Sequence, residues 1–221
     1  MDAALAGKER PLGENFFARA RERLTLDVPP ALTDLTADAI RGDLDLDPSV
    51  WERAGVTATR PAAVLVPVID RAEPMVLLTQ RNANLASHAG QIAFPGGAID
   101  PVDRSPVAAA LREAQEEIGL DPGLVDPIGH LDLYLTFSGF RILPTVARVD
   151  PVYRVALNRA EVDEAFEVPL AFLMDAQNHA LHSRDWKGVI RHYYAMAFPQ
   201  RYIWGVTAGI LRNLYERVYL E

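Results

Sequence analysis

Residues 105–122 read S-P-V-A-A-A-L-R-E-A-Q-E-E-I-G-L-D-P, a stretch in which both ends state where a helix begins and stops. Ser105 is a good N-cap, and Pro106 suits the first helical position, where its missing N–H costs nothing. Gly119 offers the left-handed conformation that ends a helix, and Pro122 opposes its resumption. A helix over Pro106 to Ile118 follows. At about 100° per residue, Val107, Leu111, Ala114 and Ile118 fall in one apolar stripe, the face expected to pack. Ala109 and Ala110, one turn before the acidic residues, would leave room for a ligand.

Glu113, Glu116 and Glu117 share a different face of that helix. At such spacings like charges about 4 Å apart repel by about 4 kcal/mol at an effective dielectric of 20. Arg112 reaches Glu116 one turn on, but one guanidinium does not neutralise three carboxylates. The pattern calls for a further cation, and oxygen-only ligands favour a hard ion, Mg²⁺ or Mn²⁺. Taken alone, the stretch is better read as a solvated acidic surface.

The rest of the chain supplies strands to carry the helix. Ala62 to Ile69 and Met75 to Arg81 read as a hairpin, and Gln91 to Gly97 as a brief strand ending in a tight turn, where Gly96 and Gly97 allow close backbone approach to a ligand or metal. Leu124 to Thr136 and Phe140 to Val149 form a second pair. Pro151 to Glu161 reads as loop, Phe166 to Pro169 as a short strand, and Leu170 to Asp175 as a helix. Ala180 to Trp186 and Val189 to Ala197 make a third pair around Lys187-Gly188. Ile203, Val206, Ile210, Leu211, Leu214 and Val218 define a last helix, which packs either internally or against a second chain as a homodimer. The fold class is therefore α/β, a mixed β-sheet covered on both faces as an α/β/α sandwich. Residues 1–59 read as an N-terminal helical extension packed on the core, with Phe16, Phe17, Ala20 and Leu24 on one helix and Leu35, Ala39 and Ile40 on another over Leu32 to Leu44; residues 60–221 form the main domain.

Composition narrows the function. A net charge of −8 argues against a nucleic-acid surface, because neutralising phosphates needs a clustered basic face. With no cysteine, disulfides, thiolate metal sites and cysteine nucleophiles are excluded. The opening M-D-A-A-L-A-G-K-E-R-P-L-G lacks the apolar run of a signal peptide, and no segment approaches the roughly 20 apolar residues of a membrane span. A cytoplasmic protein without membrane attachment is expected.

Arg112 to Leu120, R-E-A-Q-E-E-I-G-L, resembles the second half of the motif of the Nudix hydrolases: glycine, five residues, glutamate, seven residues, then R-E-U-x-E-E-x-G-U with U a bulky aliphatic. The first half departs, since after Gly97 and five intervening residues stands Asp103 in place of glutamate, and eight residues separate it from Arg112. Upstream, Leu77 to Gly97 is similar to the signature of the coenzyme A diphosphatase branch, L-L-T-x-R-[SA]-x₃-R-x₃-G-x₃-F-P-G-G, at Leu77, Leu78, Thr79, Arg81, Gly90, Phe94, Pro95, Gly96 and Gly97. Asn82 replaces the small residue and Ala86 the arginine, removing one expected anionic contact. W-G-V-T-A at Trp204 to Ala208 also resembles this branch.

The resemblance implies a Mg²⁺- or Mn²⁺-dependent diphosphatase acting on a nucleoside diphosphate substrate, coenzyme A or its thioesters, with ADP-ribose or a dinucleotide as rival substrates and a nucleotide-sensing binding module as rival class. It implies Glu113, Glu116 and Glu117 as metal ligands, with the Gly97 carbonyl a further one, and Arg112 as the group that orients them. The general base would be Glu113, Glu161 or Glu164, the last two being equally readable as surface carboxylates. Arg81, His88 and Gln91 would contact the substrate beside Gly96 and Gly97, His88 having a structural role as its alternative. Tyr134, Phe137, Phe140 and Arg141 would frame a nucleotide pocket or else be core.

Overall fold

The fold is given by a computed structural model that describes residues 12–37, 41–42, 46, 59–186 and 189–220. The helix written into residues 105–122 forms as its ends dictate, and we label it α2 (Pro106–Ile118). Ser105 Oγ accepts from the Ala108 N–H at 3.1 Å. Gly119 takes φ 67°, and its N–H returns to the carbonyls of Ala114 and Gln115.

Around α2 the described residues build a mixed sheet of nine strands. These are β1 (Arg41–Gly42), β2 (Arg60–Ile69), β3 (Met75–Arg81), β4 (Ile92–Ala93), β5 (Gly96–Ala98), β6 (Val125–His130), β7 (Tyr134–Leu135), β8 (Phe140–Val149) and β9 (Val162–Pro169). Strands β10 (Ala180–Trp186), β11 (Val189–Phe198) and β12 (Arg201–Trp204) form a separate antiparallel sheet. The remaining helices are α1 (Leu12–Arg23), α3 (Leu170–Leu173) and α4 (Val206–Tyr215).

Pleat alternation sends successive β2 and β3 side chains to opposite layers. Ala63, Leu65, Ile69 and Leu77 pack with Ala109, Ala110, Ala114 and Ile118 of α2. Val66, Val68, Val76 and Leu78 pack on the other face with Phe16 and Ala20 of α1, Met196 and Ile203 of the small sheet, and Ile210, Leu211 and Leu214 of α4. The molecule is thus an α/β/α sandwich, and each fully buried aliphatic side chain contributes about 1.5–3 kcal/mol. The apolar stripe of α4 is satisfied within the chain.

One feature of the sheet positions the site. Strand β2 runs parallel to β8 along its whole length, but on its other edge it changes partner. Ala62, Ala63 and Val64 pair with Ala98, Gly97 and Gly96 of β5, whereas Val68 and Ile69 pair with Val76 and Met75 of β3. Strand β3 then leaves with β9 and β4, Arg81 lying opposite Val162. The gap between β3 and β5 opens beneath α2.

Several expectations need correction. The packed face of α2 is rotated from the predicted stripe: Ala109 and Ala110 are fully buried, and Val107 and Leu111 only half-buried. The alanines do not leave room for a ligand; their small side chains let the helix lie close on Ala63. No helix covers 32–37, where a 3₁₀ turn at Pro30–Leu32 gives way to an Asp34 side chain that accepts from both N–H and Oγ1 of Thr36. Such local bonds compete with helix, and Leu35 is left exposed. Ala39, Ile40 and the tip at Lys187-Gly188 lie outside the described residues. Ile203 belongs to β12 and not to the last helix, because Gly205 at φ 62° turns the chain between them. Strand β9 begins at Val162 and not at Phe166, which places Glu164 in the strand opposite Gln80.

Replacing Ser105 with alanine removes the N-cap of α2 and is expected to lower stability by about 1 kcal/mol. Urea denaturation should show a lower midpoint with an unchanged slope.

Candidate active site

Glu117 lies in the gap between β3 and β5 and is 3% exposed. Its Oε2 accepts from the Gly96 N–H at 3.3 Å, and its Oε1 stands 3.9 Å from Arg81 Nη1. These partners compensate only part of the lost solvation, so burial pushes its pKa up to about 7. Arg81 is itself incompletely satisfied, its buried Nε having no hydrogen-bond partner.

Gly96 is required where it stands, and Gly97 leaves space that the Glu113 carboxylate fills. A Cβ on Gly96 would lie 2.4 Å from the Ala63 carbonyl oxygen, and one on Gly97 would lie 2.6 Å from the Glu113 carboxyl carbon. The Glu113 carboxylate therefore rests directly on the backbone of β5. Burial raises its pKa as well, against the lowering effect of Arg112.

Arg112 is the hub of the polar face of α2. Its Nε and Nη2 donate to the two oxygens of Asp103 at 3.0 Å each, and its Nη1 to Glu113 at 2.9 Å and Glu116 at 3.0 Å. Nη2 also reaches the Ala98 carbonyl at 3.3 Å, tying the helix to the end of β5. Asp103, displaced by one residue from the expected motif, holds Arg112 in a two-pronged pair, and that pair keeps its own pKa below the usual carboxylate range. Glu116 is more than half exposed.

The two glutamates beyond the helix separate cleanly. Glu161 adds negative charge to both Glu113 and Glu117, raising the pKa of each, and its carboxylate is held by Asn158 Nδ2 at 3.0 Å. Asn82, the departure from the upstream signature, donates its N–H to the Glu161 carbonyl at 2.8 Å and its Nδ2 to the Arg159 carbonyl at 2.7 Å. It therefore clasps the turn that carries Glu161. Glu164 points elsewhere, into an ion pair with Arg201 at 2.5 Å that lowers its pKa.

His88 and Gln91 bond to each other, Nδ1 to Oε1 at 2.9 Å, on the turn between β3 and β4. Arg81 joins that turn through its own backbone, donating its N–H to Gln91 and accepting from Gly90. The residues expected to frame a nucleotide pocket do not gather here. Tyr134 is buried beneath Gly209, and Arg141 is buried against the carbonyls of Ala31 and Asp34. Phe137 and Phe140 lie under the guanidinium groups of Arg191 and Arg60. Asn158 carries no signal in the sequence beyond its polarity, and Asp103 and Asn82 stand out there only as departures from the two motifs.

The donors of this face suit a hard cation: carboxylates that raise one another's proton affinity, beside a backbone stripped of side chains. They are not gathered into a finished shell. Among the described residues no three His, Cys, Asp or Glu side chains meet closely enough to hold an ion, since Arg112 engages Glu113 and Glu116.

The family model described as NUDIX domain matches residues 59–187. A protein of Cronobacter sakazakii called uncharacterized Nudix hydrolase NudL is 44% identical over 163 residues, covering 70% of this chain and 81% of its own length. Its counterpart in Escherichia coli K12 is 40% identical over 155 residues with the same coverage. Among solved structures, a NUDIX hydrolase from Alicyclobacillus acidocaldarius covers 72% of this chain and 92% of its own, with 21% identity and a TM-score of 0.44.

The raised pKa of Glu117 has a consequence for stability. A carboxyl whose folded pKa is about 7 and unfolded value 4.5 adds stability in full below pH 4.5 and loses it as pH rises through 7. In chelator, Glu117→Gln should abolish that decline, leaving the variant more stable than the parent at pH 8 by up to about 3 kcal/mol. Denaturant titrations of both proteins between pH 4 and 8 check this.

Proposed function

The chain belongs to the Nudix family of hydrolases, and on that premise we propose that the nucleoside diphosphate derivative it hydrolyses is coenzyme A or a coenzyme A thioester. The products would be adenosine 3′,5′-bisphosphate and 4′-phosphopantetheine or its acyl form. The observation that carries this reading is the buried Glu117 between Gly96 and Arg81. It joins the acidic helix to two positions of the upstream signature, so that the two motifs act as one site.

Nudix hydrolases in general need divalent metal ions. In our reading Glu113, Glu116, Glu117 and the Gly97 carbonyl hold Mg²⁺ or Mn²⁺. When bound, such ions offset the charge of the diphosphate, polarise its phosphoryl group and acidify water. Arg112, anchored by Asp103, keeps the glutamates on one face of α2. Arg81 faces the diphosphate beside Gly96 and Gly97, with His88 and Gln91 as polar contacts at the mouth. Glu161 takes the proton of the attacking water; the new phosphorus–oxygen bond forms as the bridging one breaks, and the second phosphate leaves as an anion. No protein nucleophile is required.

The same premise keeps residues 60–221 as the hydrolase domain, residues 1–59 as its extension, and the cytoplasm as the compartment. Among the described residues no helix is long and apolar enough to cross a membrane. A second reading, hydrolysis of ADP-ribose or a dinucleotide, is favoured by Ala86, which replaces the arginine of the coenzyme A signature.

Purified protein incubated with Mg²⁺ and, separately, coenzyme A, acetyl coenzyme A, ADP-ribose and a dinucleoside polyphosphate should yield adenosine 3′,5′-bisphosphate from the first two fastest, by mass spectrometry. Intact coenzyme A beside cleaved ADP-ribose would transfer the assignment to the second reading. Glu161→Gln should reduce kcat by about 10²-fold or more and remove the acidic limb of the pH–rate profile, whereas Glu164→Gln should change kcat by less than about threefold. Equal losses in both variants would refute the role given to Glu161.

A further inference from the structure

Two of the last carbonyls of α2 are closed from outside the helix. Helix ends leave their final carbonyls without an intrahelical donor. At Glu117 and Ile118 the donors come from the segment that leads into β9: the Ala156 N–H donates to the Ile118 carbonyl at 2.8 Å, and the Asn158 N–H to the Glu117 carbonyl at 2.9 Å. The approach is close, since a Cβ on Gly119 would lie 2.7 Å from the Ala156 Cβ. The segment is thereby fixed to the helix at the residue whose carboxylate sits between Gly96 and Arg81.

Asn158 extends that attachment to a second carboxylate. Its carbonyl accepts from the N–H groups of Glu161 at 3.0 Å and Val162 at 2.9 Å, folding residues 158–162 into a turn. Its carboxamide has two partners: Oδ1 accepts from the Ala160 N–H at 3.2 Å, and Nδ2 donates to Glu161 Oε1 at 3.0 Å. A main-chain N–H requires an acceptor, so the first bond decides which end of the carboxamide is oxygen and leaves Nδ2 facing Glu161. A donor to an ionised carboxylate makes a bond roughly twice as strong as one between neutral groups.

One residue thus joins the main chain of Glu117 to the side chain of Glu161 through two hydrogen bonds. The other contacts to this turn act on its backbone. Asn82 bonds to the carbonyls of Glu161 and Arg159, and Arg159 directs its guanidinium to the Asp163 carbonyl. Among the described residues, Asn158 Nδ2 is the donor on the Glu161 carboxylate. That carboxylate also feels the like charge of Glu113 and Glu117, which drives an unanchored side chain away from the helix.

We propose that Asn158 is a positioning residue for the hydrolytic step, holding the Glu161 carboxylate in register with Glu117, at the place where it receives the proton of the attacking water. Asn158 acts through Glu161 and not on the substrate. The inference rests on the base role given to Glu161 in the diphosphatase reading, and it adds the residue that places that base.

Asn158→Asp is the discriminating variant, because it keeps an acceptor for the Ala160 N–H but puts an oxygen where Nδ2 donated. Asn158→Ser, whose hydroxyl can accept from Ala160 but does not reach Glu161, controls for the added charge. Both should keep the parent's thermal midpoint to within a few degrees. With Mg²⁺ and whichever diphosphate of the panel above the parent cleaves fastest, each should lose about tenfold or more in kcat while KM changes by less than about twofold, as misplacement of a reacting group does. In a Glu161→Gln background the same replacements should change kcat by less than about twofold, since a residue acting through Glu161 has nothing left to act on. A measurement on the metal-free protein needs neither turnover nor a variant at 158. By NMR, the assigned Asn158 carboxamide signal should shift between neutral and acid pH in the parent and stay in place in Glu161→Gln. Parental kcat in both Asn158 variants, losses that persist in full in the Glu161→Gln background, or a carboxamide signal indifferent to pH in the parent would each overturn the proposal. Failure of the base reading is distinguishable, because it shows as parental kcat in Glu161→Gln itself, and it removes the proposal even where the carboxamide signal reports the bond.

Discussion

A carboxylate held almost out of water with one main-chain donor and one distant guanidinium is the constraint on which this structure turns. Glu117 meets Gly96 at 3.3 Å and Arg81 at 3.9 Å, neither close enough to replace a hydration shell. A buried charge so weakly compensated is costly, and proteins commonly retain such groups where a function needs them. The surroundings share that cost. Strand β2 has to exchange β5 for β3 along one edge to open the gap, two consecutive glycines have to carry the backbone past the carboxylates, and α2 has to lie close enough to insert Glu117 between the strands.

Close approach explains why alanines, and not the larger aliphatics, form the buried face of α2. Periodicity identified a stripe through Val107 and Leu111 because hydropathy scales weigh large side chains most heavily. Packing distance has the opposite preference. With Ala109, Ala110 and Ala114 against Ala63, the helix settles close on the sheet and turns Glu117 inward, leaving the valine and leucine at the margin. The helix itself was fully legible, because its caps are local interactions within a few residues of the chain. So were most strands, whose alternation is also local. The exchange of partners along β2 was not, since it depends on pairings between residues 62–69 and segments lying as far apart as 75 and 98.

The same distinction governs the site. The helix glutamates, Arg112 and the paired glycines stand in one short stretch and could be read together. Glu161 and Glu164 could not be told apart, being carboxylates three positions apart in a polar segment. What separates them is long-range: Asn82 clasps the turn bearing Glu161, and Arg201, from a different sheet, captures Glu164. Asn82 had looked like a simple departure from a signature, yet its two hydrogen bonds set the position of a carboxylate 79 residues away in the chain. Asp103 likewise fell one residue out of step and still reaches Arg112 with both oxygens, because a turn before a capped helix can absorb an added residue without moving the helix.

The arrangement at the end of β3 follows from the pleat alone. Two neighbouring residues of a strand must face opposite layers, so a polar pair at an open strand end touches two compartments at once. Here one compartment gathers carboxylates under α2, and in the other Gln80 meets Arg201 of β12. The charge pairing sharpens the division: Arg81 is left partly unsatisfied on the acidic side, whereas Arg201 is neutralised by Glu164 on the other. Reversing those pairings would place the less compensated guanidinium away from the acidic face, so the Arg201–Glu164 ion pair, remote from that face, helps to keep it on the side of α2.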